Sequence, residues 1–486
     1  MFENIKEGIV YKNLLNGEWI KSKSESTIDV HSPVNGDVIG KVQAMTKDEI
    51  DKTIENSKIA QKNWAEKPLN ERAAVLHKCA DLLEENISVL SDFLQKEIAK
   101  NKSSAISEVK RTASFIRFTA DEAKHMEGET ITGDNFPGFK KNKVSVVHRV
   151  PLGTVLAISP FNYPINLSVS KIAPALAAGN SVILKPPSQG SISALYVAEL
   201  FNKAGIPKGV LNTVTGKGSE IGDYIVTHPG IDFINFTGST EVGKHIAVIA
   251  GMVPMLMELG GKDAAIVLED SDLRDAAKDI VAGAYIYSGQ RCTAIKRVLA
   301  INDISDELAP LMLEEIKNLK VGMPEDDCEV TPLINNSAAD FVQELIDDAL
   351  KKGAKLLIGN KRKENLMYPT LLDNVTTDMR IAWEEPFGPV LPILRVQSVE
   401  EAIEIANKSQ YGLQSSVFTK NIDYAFHVAS KLEVGTVQIN DKTERGPDHF
   451  PFLGVKASGM GTQGIRYSIE AMSRKKVIVL NIHEFS

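Results

Sequence analysis

The chain has 486 residues, 43% of them hydrophobic and 24% charged, with no long polar tract, which excludes a disordered protein. Single cores stop growing at about 250–300 residues, so two substantial domains are implied. A net charge of −8, from 55 Lys+Arg against 63 Asp+Glu and without a dense basic block, argues against nucleic acid as a partner and makes any anion site a local one.

The first residues, "MFENIKEGIVYKNLL", carry scattered charges and no signal-peptide core. No later segment reaches the ~18 apolar residues of a membrane span, so a cytoplasmic protein with no membrane partner is expected. A hairpin is predicted from "LLNGEWI" to "VIGKV", followed by helices over about Lys47–Ala65 and Asn70–Lys100. A strand-like run near Lys143–Val150 follows. From Gly153 short apolar runs alternate with amphipathic segments: "GTVLAIS", "INLSVSKIAPALAAG", "SVILKP", "SALYVAELFNKAG", "VLNTVTG", a short helix, "IDFINFTG" and "STEVGKHIAVIAG". Such alternation builds a parallel sheet with crossover helices, the default nucleotide-binding α/β arrangement. Gly260 and Gly261 mark a boundary, after which "DAAIVL", a helix over Leu273–Tyr287, "KRVLAI", helices near Asp306–Asn318 and Ala338–Lys352, "KLLIG" and "VGTVQIN" form a second unit. The run "KKVIVLNI" near the end is again strand-like. It and the run near Lys143–Val150 either extend a neighbouring subunit's sheet or pair as edge strands within one subunit.

Three cysteines, Cys79, Cys292 and Cys328, are too few and too scattered for a disulfide framework or a zinc site, and no metal is expected. Cys79 lies in the amphipathic "LHKCADLLEEN" and reads as core. Cys328 sits in the acidic turn "PEDDCEV", where carboxylates disfavour a thiolate. In "YSGQRCTAIKR", by contrast, Gly289 breaks a helix and Arg291 sets a positive charge beside Cys292, the setting that favours a nucleophilic thiolate. Glu258 closes the apolar run "PMLMELGG", and desolvation there would suit it to take a proton from water. Asn162, in "ISPFNYPINL" ahead of a helix that Pro164 can start, could donate its amide to an oxyanion or simply cap the helix. In "FINFTGSTEVG" the glycines Gly238 and Gly243 are five apart, a weak match to a dinucleotide fingerprint.

Taken together, "ISPFNYP", "LKPPSQ", "FTGSTEVG", "MELGGKDAAIVLEDSDL", "GQRCTA", "EEPFGPVLP" and "YGLQSSVFT" occur in an order that resembles the aldehyde dehydrogenase superfamily over nearly the whole length. The resemblance implies an α/β fold with three parts. A Rossmann-like cofactor domain would span 1–129 and 151–259, an α/β catalytic domain 260–456, and a small β oligomerisation element with the C-terminal tail 130–150 and 457–486. It implies Cys292 as nucleophile, Glu258 as general base, and Asn162 with the Cys292 backbone amide as oxyanion hole. Lys185 and Glu385 would hold ribose hydroxyls, Phe387 would contact the nicotinamide side, Gly238 and Ser239 would lie near the phosphates, and Pro160 and Phe161 would border the cofactor. A homotetramer built as a dimer of dimers is also implied. Glu258 favours hydrolysis over transfer of the acyl group to coenzyme A, since members that make that transfer typically lack the glutamate.

In NAD-preferring members the residue three beyond the "KP" lysine is usually a glutamate. Here it is Ser188, which with Lys185 suits a 2′-phosphate, so NADP is the expected cofactor. The phrases "SPFNYPINLSVSKIAPALAAGN", "GQRCTAIKRVL", "WEEPFGPVLPI" and "NDKTERGPDHFPFLG" are most similar to the non-phosphorylating branch that oxidises D-glyceraldehyde 3-phosphate to 3-phosphoglycerate. There an arginine–tyrosine cluster binds the substrate phosphate, and the matching positions are Arg111, Tyr163, Arg291 and Arg445. Two alternatives stay open: a semialdehyde dehydrogenase of the succinic-semialdehyde type, and a non-catalytic NADP-binding relative.

Overall fold

The computed structural model describes residues 2–483; the outermost ends of the expected domain spans, Met1 and 484–486, lie outside the described residues. After a first short antiparallel pair, Lys6–Glu7 against Val10–Tyr11, comes a hairpin with a two-residue turn, Asn13–Leu15 against Glu18–Ile20. Its turn is Asn16-Gly17, both with positive φ, the pairing that a tight hairpin turn needs. The expected long hairpin to "VIGKV" is therefore two units, since Val38–Gln43 pairs instead with Thr27–His31 and Val10–Tyr11. The local Asn-Gly signal closes the chain before the more distant strand can compete.

Four helices follow: α1 (Lys47–Ala65), α2 (Leu69–Glu85), α3 (Ile87–Ile98) and α4 (Lys102–Lys124). A reciprocal cap between Thr46 and Glu49 starts α1. The helix expected over Asn70–Lys100 is split at Asn86, and it stops short of Lys100 because Ala99 turns left-handed at φ 50. Helix α4 carries Glu108 and Arg111 one turn apart; Glu108 accepts from the Ile165 and Asn166 amides, while Arg111 reaches Asp448.

The first large sheet has the order Leu211–Thr213, Ser181–Lys185, Thr154–Ile158, Phe233–Thr237, Met255–Glu258, all parallel, with Gly459–Met460 added antiparallel at the edge. Numbered along the chain the parallel strands run 3-2-1-4-5, a doubly wound sheet whose order reverses between Thr154–Ile158 and Phe233–Thr237. These strands are continuous apolar runs because helices cover both faces: α5 (Asn166–Ala177), α6 (Ser191–Ala204), α7 (Gly218–Val226) and α8 (Thr240–Ile249) on the crossovers, with α1 and α2 packed alongside. Every residue of α5 is buried.

The second sheet has seven strands in the order Lys355–Ile358, Thr370–Asp373, Val390–Val396, Arg297–Ile301, Ala264–Val267, Gln414–Phe418, Thr436–Ile439, parallel except at the first pairing. Thr370–Asp373, Val390–Val396 and Gln414–Phe418 were not anticipated from periodicity, because buried parallel strands lack alternation. Helix α9 (Leu273–Tyr285), capped by Asp272, ends two residues earlier than expected because Tyr287 and Ser288 are left-handed ahead of Gly289. The two late strand-like runs pair with each other inside one chain, Ser473–Asn481 against Lys143–Pro151 in a three-stranded sheet with Glu129–Thr132. Among the described residues no helix is long and apolar enough to cross a membrane.

Candidate active site

Only five residues separate Met255–Glu258 in the first sheet from Ala264–Val267 in the second. The C-terminal ends of one set of parallel strands therefore face the N-terminal ends of the other. In doubly wound sheets ligands bind off the C-terminal strand ends at the order reversal. Here that point lies where Ile158 leads to Pro160, Phe161 and Asn162, and Thr237 leads to Gly238 and Ser239. A side chain at the junction itself would have to displace its neighbours. A Cβ on Gly260 would lie 2.2 Å from a Glu385 carboxylate oxygen, and one on Gly261 would lie 3.0 Å from the Cys292 carbonyl.

Cys292, Glu258 and Asn162 come together in this cleft. The Cys292 thiol donates to Glu258 Oε1 at 3.0 Å, and the sulfur belongs to a partly accessible residue. The Asn162 amide nitrogen donates to the carbonyl of Gln290, two residues before the cysteine, at 2.9 Å. Burial pushes the Cys292 thiol well above its ordinary pKa, and the Glu258 carboxylate pushes it further the same way. The expectation of a thiolate stabilised by Arg291 is corrected on this point. The Arg291 guanidinium donates to the carbonyls of Ala282 and Gly283 at the end of α9, and the cation that acts on the sulfur is Lys296, which also donates to the Cys292 carbonyl. Lys296 pairs in turn with Glu385 Oε1 at 3.1 Å, an oxygen that also accepts from the Gly261 amide.

Glu258 is ringed by partners. Its Oε2 accepts from Arg445 Nη1 at 3.1 Å and from the Thr237 hydroxyl at 3.4 Å. Buried Lys171 of α5 donates to that hydroxyl at 2.7 Å, and burial pushes its ammonium down to about 7. Sequence reasoning missed Lys171. The signal was a single lysine in the apolar run "LSVSKIAPALA", a position a helix can bury only beside an acceptor. Buried Asp263 was missed as well; burial pushes its carboxyl up to about 7.

Arg111, Tyr163 and Arg445 share one flank of the cleft, but the two guanidiniums are not free. Arg111 makes a two-pronged pair with Asp448 at 2.7 Å and donates to the Arg445 carbonyl. Arg445 lies 3.9 Å from Asp448 as well as on Glu258. Asp448 had no place in the sequence reading. Arg291, whose buried Nε has no hydrogen-bond partner among the described residues, also sets its charge beside Tyr163, as Arg111 does, and the Glu108 carboxylate opposes them there. A pocket lined by Gln414, Glu444, Arg445, Asp448 and Phe452 opens on this side.

On the other flank, Lys185 ends its strand buried, donating to the Pro186 carbonyl at 3.5 Å, and among the described residues no carboxylate lies within ion-pairing reach of it. Burial pushes it down to about 8. Ser188 is half-buried nearby with its carbonyl taken by Ser191. Ser239 caps α8 by accepting from the Val242 amide, and Gly238 sits against the Phe236 ring, leaving no space for a Cβ. Phe387, left-handed at φ 46, meets the edge of Phe161 with ring centroids 5.9 Å apart, one ring from each half of the molecule.

A doubly wound sheet facing a second parallel sheet, with a cysteine, a glutamate and an asparagine amide converging between them, is the arrangement of aldehyde dehydrogenases, and the chain belongs to the aldehyde dehydrogenase family, whose profile matches residues 19–478. Within the family it is 58% identical over 472 residues to the NADP-dependent glyceraldehyde-3-phosphate dehydrogenase of Streptococcus equinus, covering 97% of this chain and 99% of that one. It is 50% identical over 484 residues to the protein of the same name from Nicotiana plumbaginifolia, covering 99% of this chain and 97% of the relative. The crystal structure of the NADP-dependent glyceraldehyde-3-phosphate dehydrogenase from Bacillus halodurans C-125, complexed with NADP, superposes with a TM-score of 0.96 at 53% identity, over 97% of this chain and 99% of that one.

Proposed function

We propose that this protein oxidises D-glyceraldehyde 3-phosphate irreversibly to 3-phosphoglycerate with NADP, through a thioester on Cys292 that water hydrolyses. The observation that carries the reading is the contact of the Cys292 thiol with Glu258, beside the Arg111–Arg445 cluster. The full-length likeness to enzymes named for this activity supports it.

NADP fits the residues of the cofactor flank. A buried lysine without a carboxylate partner is costly unless a ligand supplies oxygen acceptors, and no acidic side chain stands at position 188 to repel a 2′-phosphate. Lys185, Ser188 and Glu385 would hold the ribose and its phosphate, Gly238 and Ser239 the pyrophosphate, and Pro160, Phe161 and Phe387 the nicotinamide end. When bound, the nicotinamide accepts the hydride that leaves the substrate carbon.

The chain's own residues do the rest. Glu258 takes the Cys292 proton across their hydrogen bond, and the thiolate adds to the aldehyde carbon. The resulting oxyanion meets the Asn162 amide, which has a second N–H beyond the one on Gln290, and the Cys292 backbone N–H. Once the thioester has formed and Glu258 has released the cysteine's proton to solvent, its carboxylate takes a proton from water. The hydroxide adds to the acyl carbon, the C–S bond breaks, and the acid leaves. Arg111, Arg291, Arg445 and Tyr163 take the substrate phosphate, with Asp448 giving up part of its hold on the guanidiniums.

A homotetramer, a dimer of dimers, belongs to the same reading. The outer strand Ser473–Asn481 leaves Val477, Ile478, Val479 and Leu480 exposed, an apolar row that a second subunit would cover. The test of function is product identification from D-glyceraldehyde 3-phosphate with NADP or NAD, with and without inorganic phosphate, beside glyceraldehyde and succinic semialdehyde. The expected product is 3-phosphoglycerate at a rate indifferent to phosphate. A phosphate requirement, or equal turnover of either competing aldehyde, would overturn the proposal.

A further inference from the structure

The cleft is supported by a buried charge that the chemistry above does not use. Lys100, just beyond α3, is fully buried, and each of its three ammonium hydrogens has an acceptor. One goes to Glu108 on α4, one to the Asn162 carbonyl at 2.8 Å, and one faces the Tyr163 ring, whose centroid is 3.4 Å from the nitrogen. The Tyr287 ring lies 4.7 Å away on the other side. Glu108 uses its second oxygen to accept from the amides of Ile165 and Asn166, which starts α5. Tyr287, in the left-handed turn before Cys292, donates its hydroxyl to the Ile98 carbonyl at 3.3 Å.

Replacing a buried ion pair with apolar residues of similar size is often neutral or stabilising, so stability alone gives no reason for this one. Its geometry gives another. The pair grips both sides of the active-site seam: Asn162 and Tyr163 from the first sheet, and Tyr287 from the cysteine loop.

We infer that Lys100, held by Glu108, is a positioning residue that fixes the Asn162 backbone so that its side-chain amide faces the oxyanion formed on Cys292. This rests on the reading of Asn162 as an oxyanion donor. Without the grip on its carbonyl, residue 162 is free to move by a fraction of an ångström to an ångström, and a misplacement of about 1 Å costs on the order of 100-fold in rate.

The test uses the full-length enzyme with Lys100→Met/Glu108→Gln, which removes both charges together, Asn162→Ala, and the triple variant. Readouts are thermal midpoint, NADP affinity, Cys292 alkylation by iodoacetamide, and single-turnover NADPH formation. For the double variant we expect an unchanged midpoint, NADP affinity and alkylation rate each within about 2-fold of wild type, and NADPH formation about 10- to 100-fold slower. Asn162→Ala should be slower by about 100- to 1,000-fold, with no further loss in the triple variant. A double variant at the wild-type rate, or losses that multiply in the triple variant, would overturn the positioning role alone. A wild-type rate in Asn162→Ala would overturn the oxyanion reading as well. If the double variant does not fold, Lys100→Arg keeps the charge on Glu108 but replaces the compact ammonium with a planar fork. It should fold and still be slow, and a wild-type rate there counts against the inference.

Discussion

Replacing Glu258 with glutamine is the most informative single change, because it alters two steps in opposite directions. In the wild-type site the thiol and the carboxylate are 3.0 Å apart, so ionising the sulfur creates two adjacent negative charges. Even at the dielectric constant of water such charges repel by about 1.4 kcal/mol, about one pH unit in the ionisation midpoint, and partial burial makes this a lower bound. The substitution also removes the nearer of Arg445's two carboxylates, 3.1 Å from its guanidinium, leaving only Asp448 at 3.9 Å, and the freed charge then favours the thiolate. Burial, the larger cause of the raised thiol pKa, persists in the variant. The midpoint should therefore fall by at least about one pH unit yet stay above that of an exposed cysteine. Iodoacetamide alkylation of Cys292 across pH 6–10, followed by mass spectrometry, measures it. With the base gone, hydrolysis should slow about 100- to 10,000-fold while the first turnover survives as a burst of NADPH. An unmoved alkylation midpoint would refute the charge argument, and an undiminished steady-state rate would refute the base assignment.

Further outcomes follow from the other flanks of the site. Arg445→Leu should lower the preference for glyceraldehyde 3-phosphate over glyceraldehyde by at least about 10-fold, since a charge-assisted hydrogen bond contributes about 1.5–3 kcal/mol; paired kcat/KM values check it, and an unchanged ratio counts against the phosphate cluster. Lys185, pushed down to about 8, is charged below that pH and neutral above it, so NADP affinity should fall as pH rises through 8 to 9.5. Calorimetric titration should show that slope vanish in Lys185→Gln, and a flat wild-type profile would contradict the assignment. Ser188→Glu should shift preference from NADP toward NAD by at least about 10-fold in kcat/KM through repulsion of the 2′-phosphate. Lys171 carries a penalty for its buried charge that is full below about pH 7 and relieved between 7 and 10.5, because there the unfolded chain binds the additional proton. Lys171→Met should therefore flatten the rise of stability with pH over that window, measured by denaturant melts.

Alternating apolar runs with turn residues between them were enough by themselves to indicate a parallel sheet with crossover helices and a second α/β unit, and local context singled out Cys292 and Glu258 through a glycine-bounded turn and a carboxylate ending an apolar run. Asn162, which local sequence left open as a helix cap, took its role from the resemblance carried by the phrases from "ISPFNYP" to "YGLQSSVFT". What tertiary structure alone decided are the partners that meet across large separations. Arg445 on Glu258, Asp448 on Arg111 and Lys100 under Asn162 join elements that are far apart in the chain. Lys296 is only four residues from Cys292, yet it acts on the sulfur in place of the adjacent Arg291 because the Arg291 side chain turns back to the end of α9. A buried charge takes its properties from whatever surrounds it in space, and periodicity along the chain records only which face is buried, not which opposite charge will arrive there.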